Sequence, residues 1–170
     1  MSALAITVSV GHTWSKQEEL MKLDSVDKIL AFAIEKEQDA ADFYKSLADR
    51  MDRPYMKEIF EGFAKEEVGH KAKLMAVHDG KLMLKAEDKV KDLKIGENLV
   101  DIELDATLDY QQALILAMKA EKAAFKLYTD LASSTDDANL QTTFQALAQE
   151  EAKHKLRFEI EYDDFVLREN

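Results

Sequence analysis

"FAKEEVGHKAKL", residues 63–74, and "LAQEEAKHKLRF", residues 147–158, carry the same Glu-x-x-His inside an apolar-periodic run. In the first, Glu67 and His70 fall on the stripe Met56, Phe60, Phe63, Glu67, His70, Leu74, Val77. In the second, Glu151 and His154 fall on Leu140, Phe144, Leu147, Glu151, His154, Phe158. Steps of four and three residues mark one face of an α-helix. Residues at i and i+3 lie one turn apart on that face, so both side chains can reach one point. The sequence therefore turns a carboxylate and an imidazole inward, twice.

Upstream of each motif lies a second stripe with a single charge at its middle. One reads Val26, Leu30, Ala33, Glu37, Ala40, Tyr44, Leu47, Met51; the other reads Tyr110, Leu114, Ala117, Glu121, Ala124, Tyr128, Leu131. Glu37 and Glu121, Tyr44 and Tyr128, Glu67 and Glu151, and His70 and His154 all share one offset of 84 residues. At that offset residues 30–77 match residues 114–161 at about 14 of 48 positions without a gap, which points to two helical hairpins of common design. The expected class is all-α: a four-helix bundle with a long crossover between helices 2 and 3.

The boundaries follow from local signals. The first helix begins at Asp24 or Ser25 and runs to about Met51; Pro54 opens the second, which stops at Gly80,. The third spans about Leu108 to Ala132, and the fourth runs from about Asp137 towards Arg168 after the loop "SSTDD",. Residues 1–24 form an N-terminal arm and 25–170 the bundle. Residues 81–106 are the connection, with room for one short helix.

Composition narrows the function. One proline and five glycines in 170 residues favour long helices,. A net charge of −11 argues against nucleic acid or an anionic membrane as partner,. With no cysteine there is no disulfide, thiolate zinc site, iron–sulfur cluster or cysteine nucleophile,. No apolar run reaches the roughly 20 residues of a membrane span. No basic residue precedes Lys16, so no secretory signal is read and the cytoplasm is the expected compartment,.

Glu37, Glu67, Glu121 and Glu151 should converge at mid-bundle, with no Lys or Arg on the four stripes within a turn of them. One unpaired buried carboxylate costs several kcal/mol or shifts its pKa far upward. Two divalent cations would balance all four. Each ion would take one terminal histidine, His70 or His154, with two glutamates bridging. Oxygen and nitrogen donors without thiolate suit iron, manganese or zinc. The alternative is a bundle whose glutamates and histidines only hydrogen-bond one another. Tyr44 and Tyr128, two turns beyond the upstream glutamates, are either core residues or donors to a ligating carboxylate. Glu66 and Glu150 sit one position off the stripes and are expected to pair with solvent or a neighbouring helix, the alternative being that they orient a histidine from outside,. His12 and His78 lie outside the repeat and are not read as ligands. Trp14 and the methionines need only packing.

"AIEKEQDAADFYKSLA" (33–48) with residues 63–74, and "AMKAEKAAFKLYTDLA" (117–132) with residues 147–158, resemble the di-iron domain of the rubrerythrin family within the ferritin-like superfamily. The resemblance covers roughly residues 25–165. It implies two irons held by Glu37, Glu67, His70, Glu121, Glu151 and His154. Two departures stand out. Rubrerythrins proper carry a cysteine-ligated rubredoxin centre, for which this sequence has no ligands. They also carry a further carboxylate three residues after the third-helix ligand, where this chain has Ala124. The set is similar to the four-Glu, two-His sites of bacterioferritin and of oxygen-activating di-iron proteins. What the resemblance implies is an oxidoreductase reacting with peroxide or O2 and drawing on an external electron donor. Ferroxidase or storage chemistry, and a non-catalytic metal-binding scaffold, are the alternatives. The likeness of the hairpins also leads to the expectation of a homodimer, in which a hairpin can be exchanged between protomers.

Overall fold

The computed structural model describes residues 26–80 and 107–169. The N-terminal arm and the crossover expected from the sequence lie outside these residues. Four helices make up the described chain: α1 Val26–Asp49, α2 Pro54–His78, α3 Tyr110–Ser134 and α4 Ala138–Glu169.

Their ends follow from local chemistry. Arg53 is extended (φ −98°, ψ 134°), as the residue before a proline prefers, and Pro54 occupies the first turn of α2, where its missing N–H costs nothing,. Past the end of α2 the Asp79 and Gly80 N–H groups donate to Met75 O and Val77 O, each at 3.0 Å. Gly80 has φ +70°, a conformation that any side chain would strain,. Asp109 caps α3 reciprocally: Gln112 N donates to Asp109 Oδ1 at 2.7 Å, and Asp109 N to Gln112 Oε1 at 3.0 Å,. Asp137 Oδ1 accepts from Leu140 N at 2.9 Å at the start of α4,.

α1 packs on α2 and α3 on α4 as two antiparallel hairpins joined by short loops. The His78 side chain at the end of α2 lies 3.4 Å from Asp27 in the first turn of α1. Tyr110 at the start of α3 donates to Glu161 near the end of α4 at 2.8 Å. The hairpins meet through two apolar clusters, each drawing on all four helices. One contains Tyr44, Leu47, Phe60, Phe63, Leu114, Met118 and Phe158. The other contains Leu30, Ala33, Leu74, Tyr128, Leu131, Phe144 and Leu147. The first joins the end of α1 and start of α2 to the start of α3 and end of α4, and the second joins the opposite ends. The C-terminus of α2 and the N-terminus of α3 thus lie at opposite ends of the bundle, the topology that a long crossover serves.

The stripes read from sequence are buried, with small departures. Val26 is exposed where α1 begins, Ala40, Met51, Val77 and Ala124 are half-buried, and α4 buries further residues, Thr143, Ala148, Lys155 and Glu159. Among them, Lys155 Nζ lies 2.6 Å from Glu159 Oε1. Nothing in the stripe pattern announces this pair, because a heptad reading assigns one inward face per helix and α4 has more.

Leu147 is fully buried in the second cluster. Its replacement by Ala should cost about 2–5 kcal/mol, against about 1 kcal/mol for Asp109→Ala, which removes a cap. Urea unfolding of the metal-free protein measures both; a smaller loss for Leu147→Ala than for Asp109→Ala would contradict this packing.

Candidate metal centre

Between the two apolar clusters every stripe carries its polar interruption. Glu37 comes from α1, Glu67 and His70 from α2, Glu121 from α3, and Glu151 and His154 from α4. All six are at most 3% exposed. They form two overlapping groups, Glu37, Glu67, His70, Glu151 and Glu67, Glu121, Glu151, His154, within each of which one donor atom per residue lies within 4.8 Å of the others. Glu67 and Glu151, the glutamates of the two Glu-x-x-His motifs, belong to both. The fold brings these six residues together.

Each imidazole turns Nδ1 to three carboxylates. His70 Nδ1 lies 3.1 Å from Glu151, 3.2 Å from Glu67 and 3.6 Å from Glu37. His154 Nδ1 lies 3.0 Å from Glu67, 3.4 Å from Glu151 and 3.6 Å from Glu121. The rings stack with centroids 5.1 Å apart and planes 9° from parallel. These short distances are not hydrogen bonds: Glu67 Oε1, Glu151 Oε1 and both Nδ1 atoms are buried without a hydrogen-bond partner. A buried polar atom left so is costly. Potential ligand atoms gathered around common points, close but not bonded, are what a cation can engage once it displaces their protons,. A bundle in which glutamates and histidines merely satisfy one another would not leave them so.

Two other carboxylate oxygens are tied down. Tyr44 of α1 donates to Glu121 Oε1 of α3, and Tyr128 of α3 donates to Glu37 Oε1 of α1. Each tyrosine thus serves the other hairpin's glutamate. Stripe positions place the tyrosines near the carboxylates, but the crossing depends on which helices are neighbours. On the outer side, Glu66 Oε2 lies 3.0 Å from His154 Nε2, a contact between α2 and α4. Glu150 pairs with Lys153 at 3.3 Å. His78 is exposed beside Asp27, remote from the cluster.

Burial and crowding decide the charges. Burial pushes the Glu37 carboxyl up to about 8; nearby His70 opposes this, and the negative charges of Glu151 and Glu67 add to it. Burial likewise raises Glu121 well above the carboxylate range, with repulsion from Glu151 adding. For Glu67 and Glu151 burial also raises the pKa, but the two imidazoles outweigh it and both are held low. Burial works against charge on His70, yet the carboxylates of Glu151, Glu37 and Glu67 push it up to about 12. His154 is raised in the same way by Glu121, Glu151 and Glu67 against its burial. Without a cation, burial and crowding therefore favour protons at the two histidines and at Glu37 and Glu121, and the charged form at Glu67 and Glu151.

A four-helix bundle of two hairpins with buried glutamates and histidines at its centre is a ferritin-like architecture. The chain belongs to the rubrerythrin family, whose model matches residues 28–162. Among solved structures it is similar to an uncharacterized conserved protein from Magnetospirillum magnetotacticum MS-1. That likeness has 20% identity and TM-score 0.63, and covers 82% of this chain and 95% of that one. It is also similar to a hypothetical protein from Pyrococcus furiosus, at 30% identity and TM-score 0.59, over 85% of this chain and 92% of that one. No curated protein matches it. Among the described residues no helix is long and apolar enough to cross a membrane.

Cation uptake must compete with the protons held by Glu37, His70, Glu121 and His154. Apparent affinity for zinc is expected to fall as pH drops below 7, and loading at pH 7 to release protons. Titration of the metal-free protein with zinc in weakly buffered solution follows both; uptake without proton release would contradict the charge assignment.

Proposed function

We propose that this chain is a non-haem dimetal carboxylate protein holding two iron ions, and that it acts as an oxidoreductase toward peroxide or O2 with electrons from a separate donor. The observation that carries the reading is the set of buried atoms without hydrogen-bond partners, Glu67 Oε1, Glu151 Oε1, His70 Nδ1 and His154 Nδ1. Membership of the rubrerythrin family supports it. Carboxylate oxygen and imidazole nitrogen fit iron, and fit manganese or zinc as substitutes.

In this reading Glu67 and Glu151, common to both groups, would contribute a donor to each of the two positions. Glu37 and His70 complete one position, and Glu121 and His154 the other. When bound, two ferrous ions supply the two electrons that, with two protons, reduce one peroxide to water. The chain's own part is to hold and to shield. Tyr128 and Tyr44 fix the glutamates that belong to one position each,. The apolar clusters on either side keep bulk water from the centre,. Ala124, one turn after Glu121, adds no carboxylate, so the donor set keeps its two-fold pattern.

Loaded anaerobically, the protein is expected to bind two ferrous ions per chain and to consume one peroxide for the pair, faster than free ferrous ion does. Glu67→Ala should impair both positions, whereas Glu37→Ala should leave about one iron bound. Rapid-mixing spectroscopy with iron analysis reads all three quantities. Peroxide consumption no faster than that of free iron, or no turnover with any reductant, would remove the oxidoreductase reading.

A further inference from the structure

The repeat that builds the centre is broken just outside it. Glu66 Oε2 lies 3.0 Å from His154 Nε2. Arg157 Nη1 donates to both oxygens of Glu66, at 2.7 and 2.8 Å. The Arg157 guanidinium lies 4.3 Å from the centroid of Phe63, and the Phe63 ring meets His154 edge-on at 5.2 Å. Held by two hydrogen bonds from the Arg157 guanidinium, Glu66 sits there as a carboxylate,. A carboxylate only accepts hydrogen bonds, so His154 must donate from Nε2, which keeps Nδ1 turned to Glu67, Glu121 and Glu151.

The other half keeps the glutamate but not its supports. At the repeat offset Arg157 corresponds to Lys73 and Phe63 to Leu147. Lysine has no planar fork to grip a carboxylate with two bonds, and leucine offers no aromatic face. Glu150, the counterpart of Glu66, lies 3.3 Å from Lys153 on its own helix. The counterpart of Lys153 is Gly69, so no side chain at that position competes for Glu66. Among the described residues no carboxylate reaches His70 Nε2.

We propose that Glu66, gripped by Arg157, is a positioning residue for His154 alone, and that it makes the Glu121/His154 half of the centre the tighter-binding half. This rests on the dimetal reading above. A histidine whose outer N–H is fixed loses less freedom on coordination and is more basic. Loss of such a partner typically weakens metal affinity about 10–100-fold.

Cobalt(II), which reports coordination by its absorption, tests this without any turnover. The wild type is expected to bind two ions per chain in two separated steps. Glu66→Ala should weaken the tighter step about 10–100-fold and bring the two steps together, still with two ions bound. Glu150→Ala should change neither step. Arg157→Lys, which keeps charge but loses the two-bond grip, should fall between wild type and Glu66→Ala. Imidazole nitrogen NMR of the metal-free protein adds a readout that mere loss of packing would not give: the Nε2 resonance of His154 moves in Glu66→Ala while that of His70 does not. Two cobalt ions with equal effects of Glu66→Ala and Glu150→Ala, or with none, would overturn this inference and leave the dimetal reading standing. No cobalt uptake by the wild type would overturn both.

Discussion

Four carboxylates closed off from water at the middle of the bundle are the constraint on which the rest depends. Each would cost several kcal/mol to bury alone and ionised, and together they repel. The apolar clusters at either end make the problem worse by sealing it, since no bulk water can solvate Glu37 or Glu121. Positive charge must enter, as protons or as cations. Protons leave both Nδ1 atoms and two carboxylate oxygens without hydrogen bonds. Cations at the two overlapping donor groups would engage those same atoms. Stability and function are thus coupled, because whatever binds the folded centre alone also stabilises the fold.

Much of this was legible in the sequence, for a definite reason. Helical periodicity is local, so Glu37, Glu67, His70, Glu121, Glu151 and His154 announce their inward faces by spacing alone, and the offset of 84 residues ties the two halves together. Helix ends were legible where a short-range signal was read, as at Pro54, Gly80 and Asp137, whereas the Asp109 cap of α3 was passed over. What was not legible depends on which helices become neighbours. Tyr44 shares a stripe with Glu37 yet bonds Glu121, and Tyr128 shares one with Glu121 yet bonds Glu37. Glu66 was expected to pair outward or across helices or, alternatively, to orient a histidine; that the histidine is His154, with Arg157 beside it, needs the geometry of α2 against α4. Lys155 and Glu159 were missed because burial on α4 is wider than one stripe.

The two-fold pattern is therefore strict where the donors lie and loose around them. The residues that face the centre repeat, as do Tyr44 and Tyr128. The shell beyond does not: Phe63, Gly69 and Arg157 have Leu147, Lys153 and Lys73 as counterparts. The common design of two hairpins accounts for the first, and the differences outside the centre give two chemically similar positions different supports. Members of one fold support many chemistries, and it is at this outer layer that such a chain can differ from its relatives while keeping its donors.

The central claim is that the buried charge cluster exists to hold two cations. Metal content per chain after aerobic purification from iron-replete cells, compared with thermal unfolding before and after chelation, tests it most directly. The account predicts about two metal ions per chain and a lower unfolding temperature once they are removed. Protein that carries none, takes up none from ferrous solution under anaerobic conditions, and unfolds at the same temperature throughout would contradict it.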